Sequence, residues 1–297
     1  MNKVIDYLGV AFRVVVAVFL FVLIQLSVIL AFRFSGVDTK IYQGSFSAIY
    51  GLICIGAFVV YNLIRSYKRD RLIMTGQSDV FNYIAAVVIG FGLLGVVTIY
   101  MYGVTYISQS VQKVAEDVAV YNERIDRYTQ VEVQTVPAWD SILDFVSAIL
   151  IVPLAEEMAF RGVIFGELRE KMHPIIAALI SSLIFGILHG VSVHVVYAVF
   201  CGVALCMVYH YSESIWVSLT VHAVFNFIGS SLFSLLESGA IGAPMDTYNL
   251  RMNSSMVEII CIIPAFATFI LMIKLYKDNH ASRKLKTETI KESEVVT

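Results

Sequence analysis

Charge is what this chain has least of. Asp, Glu, Lys and Arg make up 15% of its 297 residues, against 58% hydrophobic residues and a mean hydropathy of +0.78. Soluble domains carry about 25% charged and about 45–50% apolar residues. The apolar excess therefore has to be buried in something other than a compact core. An excess of one sign is missing too: 21 basic residues against 23 acidic give a net charge of −2, so no general attraction to nucleic acid is implied. Cysteine is sparse and unpatterned. Cys54, Cys201, Cys206 and Cys261 are scattered through apolar runs without metal-ligand spacing. They read as packed or lipid-facing thiols and say nothing about redox compartment. Internal repeats and low-complexity segments are absent. The first apolar run lacks a small-residue cleavage site and is too long for a signal peptide, so it reads as a true span.

What is present is a succession of long apolar runs. Candidate spans are 8–33, 46–64, 81–106, 141–160, 174–190, 193–211, 214–236 and 256–276, each about the length that crosses a bilayer as a helix. The expectation is an all-α, polytopic protein of about eight transmembrane helices. Positive charge sets the orientation. Arg65, Lys68, Arg69 and Arg71 follow the second span, and Lys277, Arg283, Lys284, Lys286 and Lys291 follow the last. The loop at 107–139 instead sets Lys113, Arg124 and Arg127 against Glu116, Asp117, Glu123, Asp126 and Glu132. These agree if both termini are cytoplasmic and 107–139 is outside. The organisation expected is N-terminal spans and outer loop at 1–135, a core at 136–236, a last loop and span at 237–276, and a polar, disordered cytoplasmic tail at 277–297. Within the outer loop, "SVQKVAEDVAVYNERIDRY" has the pattern of an amphipathic helix. Arg13, in the first span, is expected to snorkel to the interface.

The remaining ionisable groups at membrane depth fall in the second half. Glu156, Glu157 and Arg161 lie on the fourth span, His189 ends the fifth, and His222 and Asn226 lie on the seventh. Such groups cost roughly 2.5–3.5 kcal/mol each at a helix centre, which makes them candidates for function. Residues four apart share a helix face, so Glu157 lies over Arg161, Phe185 over His189 and His222 over Asn226. Glu156 precedes the turn near Met172–Pro174 by about 16 residues and His189 follows it by about 16, which puts both roughly 24 Å from the turn. His222 and Asn226 follow the break at "YSES" by about 10 and 14 residues, roughly 15 and 21 Å. The four groups therefore converge. The segment from Asp140 to Met172 would make roughly 50 Å of helix, more than a hydrocarbon core of about 30 Å. It is expected to break, tilt or project past the membrane, with Gly162 or Gly166 as the places to do so.

A carboxylate, two imidazoles and a carboxamide around one point suit water activation. Glu156 is placed to act as general base with His189 sharing or shuttling the proton. His222 and Asn226 offer donors to a developing oxyanion. Glu157 with Arg161 reads as a buried structural ion pair, and His194 as a neighbour near the loop that could supplement the site. Glu156, His189 and His222 could instead hold one divalent metal, zinc by ligand type, although there is no HExxH. Asn226 is an unusual companion for zinc and a natural oxyanion donor, so metal-free water activation is favoured, with no cofactor required.

The motifs resemble those of the CAAX prenyl protease and bacteriocin-processing family, also called the Abi or CPBP membrane proteases. Its three signatures stand here in order as "EEMAFR" (156–161), "FGILH" (185–189) and "HAVFN" (222–226). The resemblance covers roughly 140–235 and implies an α-helical intramembrane endopeptidase. In that family the first glutamate, here Glu156, and the second-motif histidine, His189, are taken to activate water, with His222 and Asn226 stabilising the oxyanion. Metal-dependent and metal-free mechanisms have both been argued for it. With no ER-retrieval signal the chain resembles the bacterial branch, for which a prenylated substrate is not expected. The substrate implied is a membrane-associated peptide or protein, and the setting a cell membrane. The alternatives are a non-catalytic scaffold that binds a membrane-protein partner such as a sensor kinase, and a proton-coupled transporter.

Overall fold

The computed structural model describes residues 2–68, 72–76, 78–129, 136–190 and 192–295. Among them every regular element is helical, with a single isolated bridge between Thr75 and Ser214. In lipid a backbone must satisfy its own hydrogen bonds, and a helix does so within one segment. Apolar runs with few interior prolines therefore become helices here. The elements are α1 (Asn2–Ser35), α2 (Gln43–Lys68), α3 (Val80–Ser108) and α4 (Gln112–Thr129) in the first half. Next come α5 (Ala138–Val146), π1 (Ser147–Ile151), α6 (Val152–Glu156), π2 (Glu157–Ile164) and α7 (Phe165–Arg169), joined end to end. The rest are α8 (Pro174–Leu188), α9 (Ser192–Ser212), α10 (Ile215–Asn226), π3 (Phe227–Ser231), α11 (Leu232–Glu237), α12 (Tyr248–Ile260) and α13 (Ile262–Val295).

Among the described residues five runs are long and apolar enough to cross a membrane by themselves, and α12 with α13 makes a sixth, bent by 44°. Pro264 explains the bend, because it has no N–H to give the carbonyl of Ile260 and its ring crowds that carbonyl. The two other expected segments are the helical run 138–169 and the short apolar helix α8. The molecule is thus an all-α, multi-pass membrane protein.

Three expectations are corrected. The run 138–169 does not break at Gly162 or Gly166, since it stays helical and takes up two π segments instead. Both glycines serve close approach: a Cβ on Gly162 would lie 2.8 Å from Ile73 Cγ1, and one on Gly166 3.3 Å from Leu72 Cβ. The tail is not irregular, because α13 continues as helix to Val295. Its Lys- and Glu-rich sequence after Asp278 contains neither Gly nor Pro, so nothing stops propagation from the apolar half. Arg13 does not simply snorkel but pairs with Glu167 on α7. Arg69, Arg71 and Glu132, used in the charge argument, lie outside the described residues.

The run 138–169 is pinned at both ends. Near its start Asp140, 1% exposed, accepts from the backbone N–H groups of Gly44 (2.8 Å) and Ser45 (2.9 Å), and from the Ser45 hydroxyl. It thus caps the orphan donors at the first turn of α2 from a different helix. Near its end the fully buried Glu167 meets Arg13 Nε at 2.7 Å and Arg65 Nε at 2.9 Å. α3 closes on α12 at Gly95, where a Cβ would stand 2.2 Å from the carbonyl oxygen of Glu258. Small residues allow such approach in membranes, where packing drives association. The amphipathic reading of the outer loop holds in α4, which packs on α3 and α9.

Breaking the buried clamp should cost far more than breaking an exposed pair. Glu167→Gln leaves Arg13 without its carboxylate and Arg65 with Glu170 alone, a loss of about 3–5 kcal/mol. Asp6→Asn at the exposed Lys171 pair should cost about 0–1 kcal/mol. Thermal unfolding in detergent distinguishes them, and equal melting temperatures would mean that Glu167 is not a clamp.

Candidate active site

The site forms around Glu157. Its carboxylate is fully buried and receives three groups from three directions. Arg161, one turn along the same helix, brings Nη1 to 3.0 Å of Oε1. Ser218 on α10 donates its hydroxyl to Oε2 at 2.6 Å. His222, four residues further on, donates Nδ1–H to Oε1 at 2.8 Å. The Arg161 contact is close but off-axis: none of its nitrogens makes a well-directed hydrogen bond among the described residues. It is therefore charge pairing, and the guanidinium is also held by Phe185, whose ring centroid lies 4.6 Å from Cζ.

Because Glu157 accepts from Nδ1, the tautomer of His222 is set. In its neutral form Nε2 carries the lone pair, and it becomes a donor only when the ring takes a second proton. That nitrogen lies 3.6 Å from Oε2 of Glu156, a charge-pair distance longer than a hydrogen bond. Glu156 is less enclosed than its neighbour, with its side chain 16% exposed against 0% for Glu157. Adjacent positions on the helix point about 100° apart, so the second glutamate faces the interior while the first reaches the free edge of the imidazole.

Asn226 is fixed by a feature of the backbone. The N–H of Val152 bonds to Ser147 in the π register of π1. In that register Ala148's partner would be Pro153, which has no N–H. Asn226 supplies the donor, its Nδ2 lying 2.8 Å from the Ala148 carbonyl. One amide hydrogen is spent there, which orients the other. In the same way His189 gives Nδ1–H to the carbonyl of Phe185 at 2.8 Å, leaving Nε2 as its acceptor nitrogen.

A cavity of about 70 Å³ collects these groups, with Phe185, His189, His222 and Asn226 on its wall. The convergence read from helix rise is present for them, and Glu156 joins through His222. Glu157 and Arg161 are a buried pair as expected, yet Glu157 also holds a site residue, which its pairing alone did not reveal. His194 is no mere loop neighbour: it lines the cavity, 4.6 Å from His189 ring to ring. Ser218 escaped the sequence reading, although its place four residues before His222 was a signal. Among the described residues no three His, Cys, Asp or Glu side chains gather as a metal-holding set.

Residues 138–228 match the family model described as "Type II CAAX prenyl endopeptidase Rce1-like". That segment therefore resembles a CAAX endopeptidase core. All three motifs fall inside the match, so the family resemblance stands for the segment that builds the site. Among curated proteins, the chain is 29% identical over 192 residues to "Putative membrane peptidase YdiL" of Bacillus subtilis (strain 168), covering 62% of this chain and 69% of that one. It is 34% identical over 90 residues to "UPF0177 protein YxdF" of Lactococcus lactis subsp. lactis (strain IL1403), covering 30% of this chain and 49% of that one. The chain thus spans about half the length of the second relative. No solved structure matches it.

The Glu157 hub predicts an order of stabilities. Glu157→Gln leaves Arg161 buried without a counter-charge and should lower stability by about 3–5 kcal/mol. Ser218→Ala removes one hydrogen bond to a charged group and should cost about 1.5–3 kcal/mol. Unfolding of both variants in the same detergent checks this, and a Ser218→Ala penalty as large as that of Glu157→Gln would contradict it.

Proposed function

We propose that this protein is an intramembrane endopeptidase that cleaves a membrane-associated peptide or protein by activated water. One observation carries the reading: within the family-matched core, a carboxylate-held imidazole presents its free nitrogen to a second carboxylate beside a small cavity. Glu156 takes a proton from water as the oxygen attacks the substrate carbonyl. The tetrahedral oxyanion is met by the remaining N–H of Asn226 and by Nε2–H of His222 when that ring is protonated. Collapse breaks the C–N bond, and the leaving amine takes the proton from Glu156. His189, with Nδ1–H committed to Phe185, offers Nε2 to orient the attacking water. Glu157, Ser218 and Arg161 position His222. The relative's name supports peptidase activity, and the absence of net basic charge gives nucleic acid no role. The membrane is a cell membrane, with both termini cytoplasmic on the positive-charge argument.

Glu156→Gln keeps the shape and removes the base. Cleavage of the native substrate, found by comparing membrane peptides with and without the protein, should stop while expression and helix content persist. Full complementation by this variant would sink the protease reading and leave the scaffold that regulates a sensor kinase or another membrane partner.

The Glu157–His222 bond would also suit an imidazole that binds a metal, since ligating histidines are commonly held by a carboxylate. The proposed steps nonetheless need none. Protein purified after chelation should remain active, and Asn226→Ala should cost about 10²–10³ in turnover, as expected for one oxyanion donor. Stoichiometric zinc whose removal and return switch activity off and on would overturn the metal-free mechanism.

A further inference from the structure

Hydrolysis inside a bilayer needs water where lipid excludes it, so the polar part of the cavity wall bears on how water enters. A space of about 70 Å³ holds about two waters at about 30 Å³ each. Much of its wall is apolar, with Leu93, Leu205, Val221 and Phe225 contributing. Water persists in such a space only with polar partners. Beyond the three motifs, the wall offers the imidazole of His194 and the phenol of Tyr197.

These rings form a row that leads out of the site. His194 contacts His189 at 4.6 Å and stacks on Tyr197 at 4.7 Å with planes 20° apart. The next ring is Tyr121 of α4, edge-on to His194 at 6.4 Å and 88°. Tyr121 is partly buried, while α4 elsewhere carries Lys113 and Glu116 on an exposed, ion-paired face. Tyr100 of α3 braces Tyr197 at 6.2 Å, and its hydroxyl donates to the Val193 carbonyl at 3.1 Å, fixing the first turn of α9. Toward the opposite end of the site helix the described residues pack closely. Leu72 and Ile73 are buried against Gly166 and Gly162, and Glu167 is locked between two arginines.

We propose that water reaches Glu156 and His222 from the α4 side, along the wall formed by His194 and Tyr197, and that Tyr121 is the side chain that closes this path. The inference takes its purpose from the hydrolase reading, but its test needs no hydrolysis. Cys201 lines the same cavity and serves as the reporter.

The full chain carrying Cys54→Ala, Cys206→Ala and Cys261→Ala is placed in vesicles of either orientation. It is exposed to silver ion, a thiol reagent small enough to follow water. After quenching and denaturation, the thiol remaining at Cys201 is counted with a maleimide. Silver should react faster from the α4 face than from the opposite one. Tyr121→Ala should raise that rate about tenfold, the effect of removing about 1.4 kcal/mol from an entry barrier. Tyr121→Phe keeps the ring and should leave the rate unchanged, and His194→Leu should slow it. Equal reaction from both faces, or no response to Tyr121→Ala, would overturn the proposal. So would a rise from both faces together, since a loosened bundle and not a side-chain gate would then be responsible. Silver access fails or succeeds independently of whether Glu156→Gln abolishes cleavage.

Discussion

Taking a carboxylate out of water costs several kcal/mol even after relaxation, and a membrane interior offers no solvent to soften that cost. Glu157 sits at 0% exposure, so its charge must be matched by the protein alone. The match comes from Arg161 on its own helix and from His222 and Ser218 on α10. Arg161, also fully buried, then needs shelter for its own charge, and Phe185 of α8 supplies a ring face. One carboxylate therefore binds together the three sequence motifs, which otherwise lie on separate helices. Arg161, His222 and Phe185 are each explained by what a buried charge would cost if left unmatched.

The π segments belong to the same logic. π1 uses the N–H of Val152 on Ser147 and meets Pro153 next, which leaves the Ala148 carbonyl in need of a donor from elsewhere. An unsatisfied carbonyl in lipid is costly, so Asn226 is drawn to it and its amide plane is set. π2 begins at Glu157 and holds both members of the buried ion pair. Irregular helix thus occurs where the backbone has to present a group to a neighbour.

Much of this was legible in the sequence, for physical reasons. Apolar runs must be helices in a membrane, and a spacing of four puts paired polar residues on one face, so the helices and the meeting of His189, His222 and Asn226 followed from periodicity and rise. Contacts between distant segments were not legible that way. Glu167 meets Arg13 across 154 residues and Arg65 across 102, and no local pattern records either. Nor did helix rise anticipate the π segments: Gly162 and Gly166 looked like breaks because glycine weakens helices, whereas their use is to admit Ile73 and Leu72. Ser218 was missed for a different reason: a serine within a helix commonly bonds its own backbone, and only the buried carboxylate opposite reveals its use.

Charge balance gives the proposed chemistry its form. Glu157 and Arg161 cancel, so the charge left to manage is that of Glu156 and His222, 3.6 Å apart. One proton shared by that pair leaves them neutral overall, whether it rests on the carboxyl or makes the ring a cation beside a carboxylate. Attack by water adds a proton to Glu156 and a negative charge to the substrate oxygen, and a cationic His222 with Asn226 lies ready to meet that oxygen. The net charge of the site is then the same before attack, in the tetrahedral state and after the amine leaves. In a low-dielectric setting each change of net charge would carry a solvation cost that no nearby water could repay. A second carboxylate without Arg161 would break this balance.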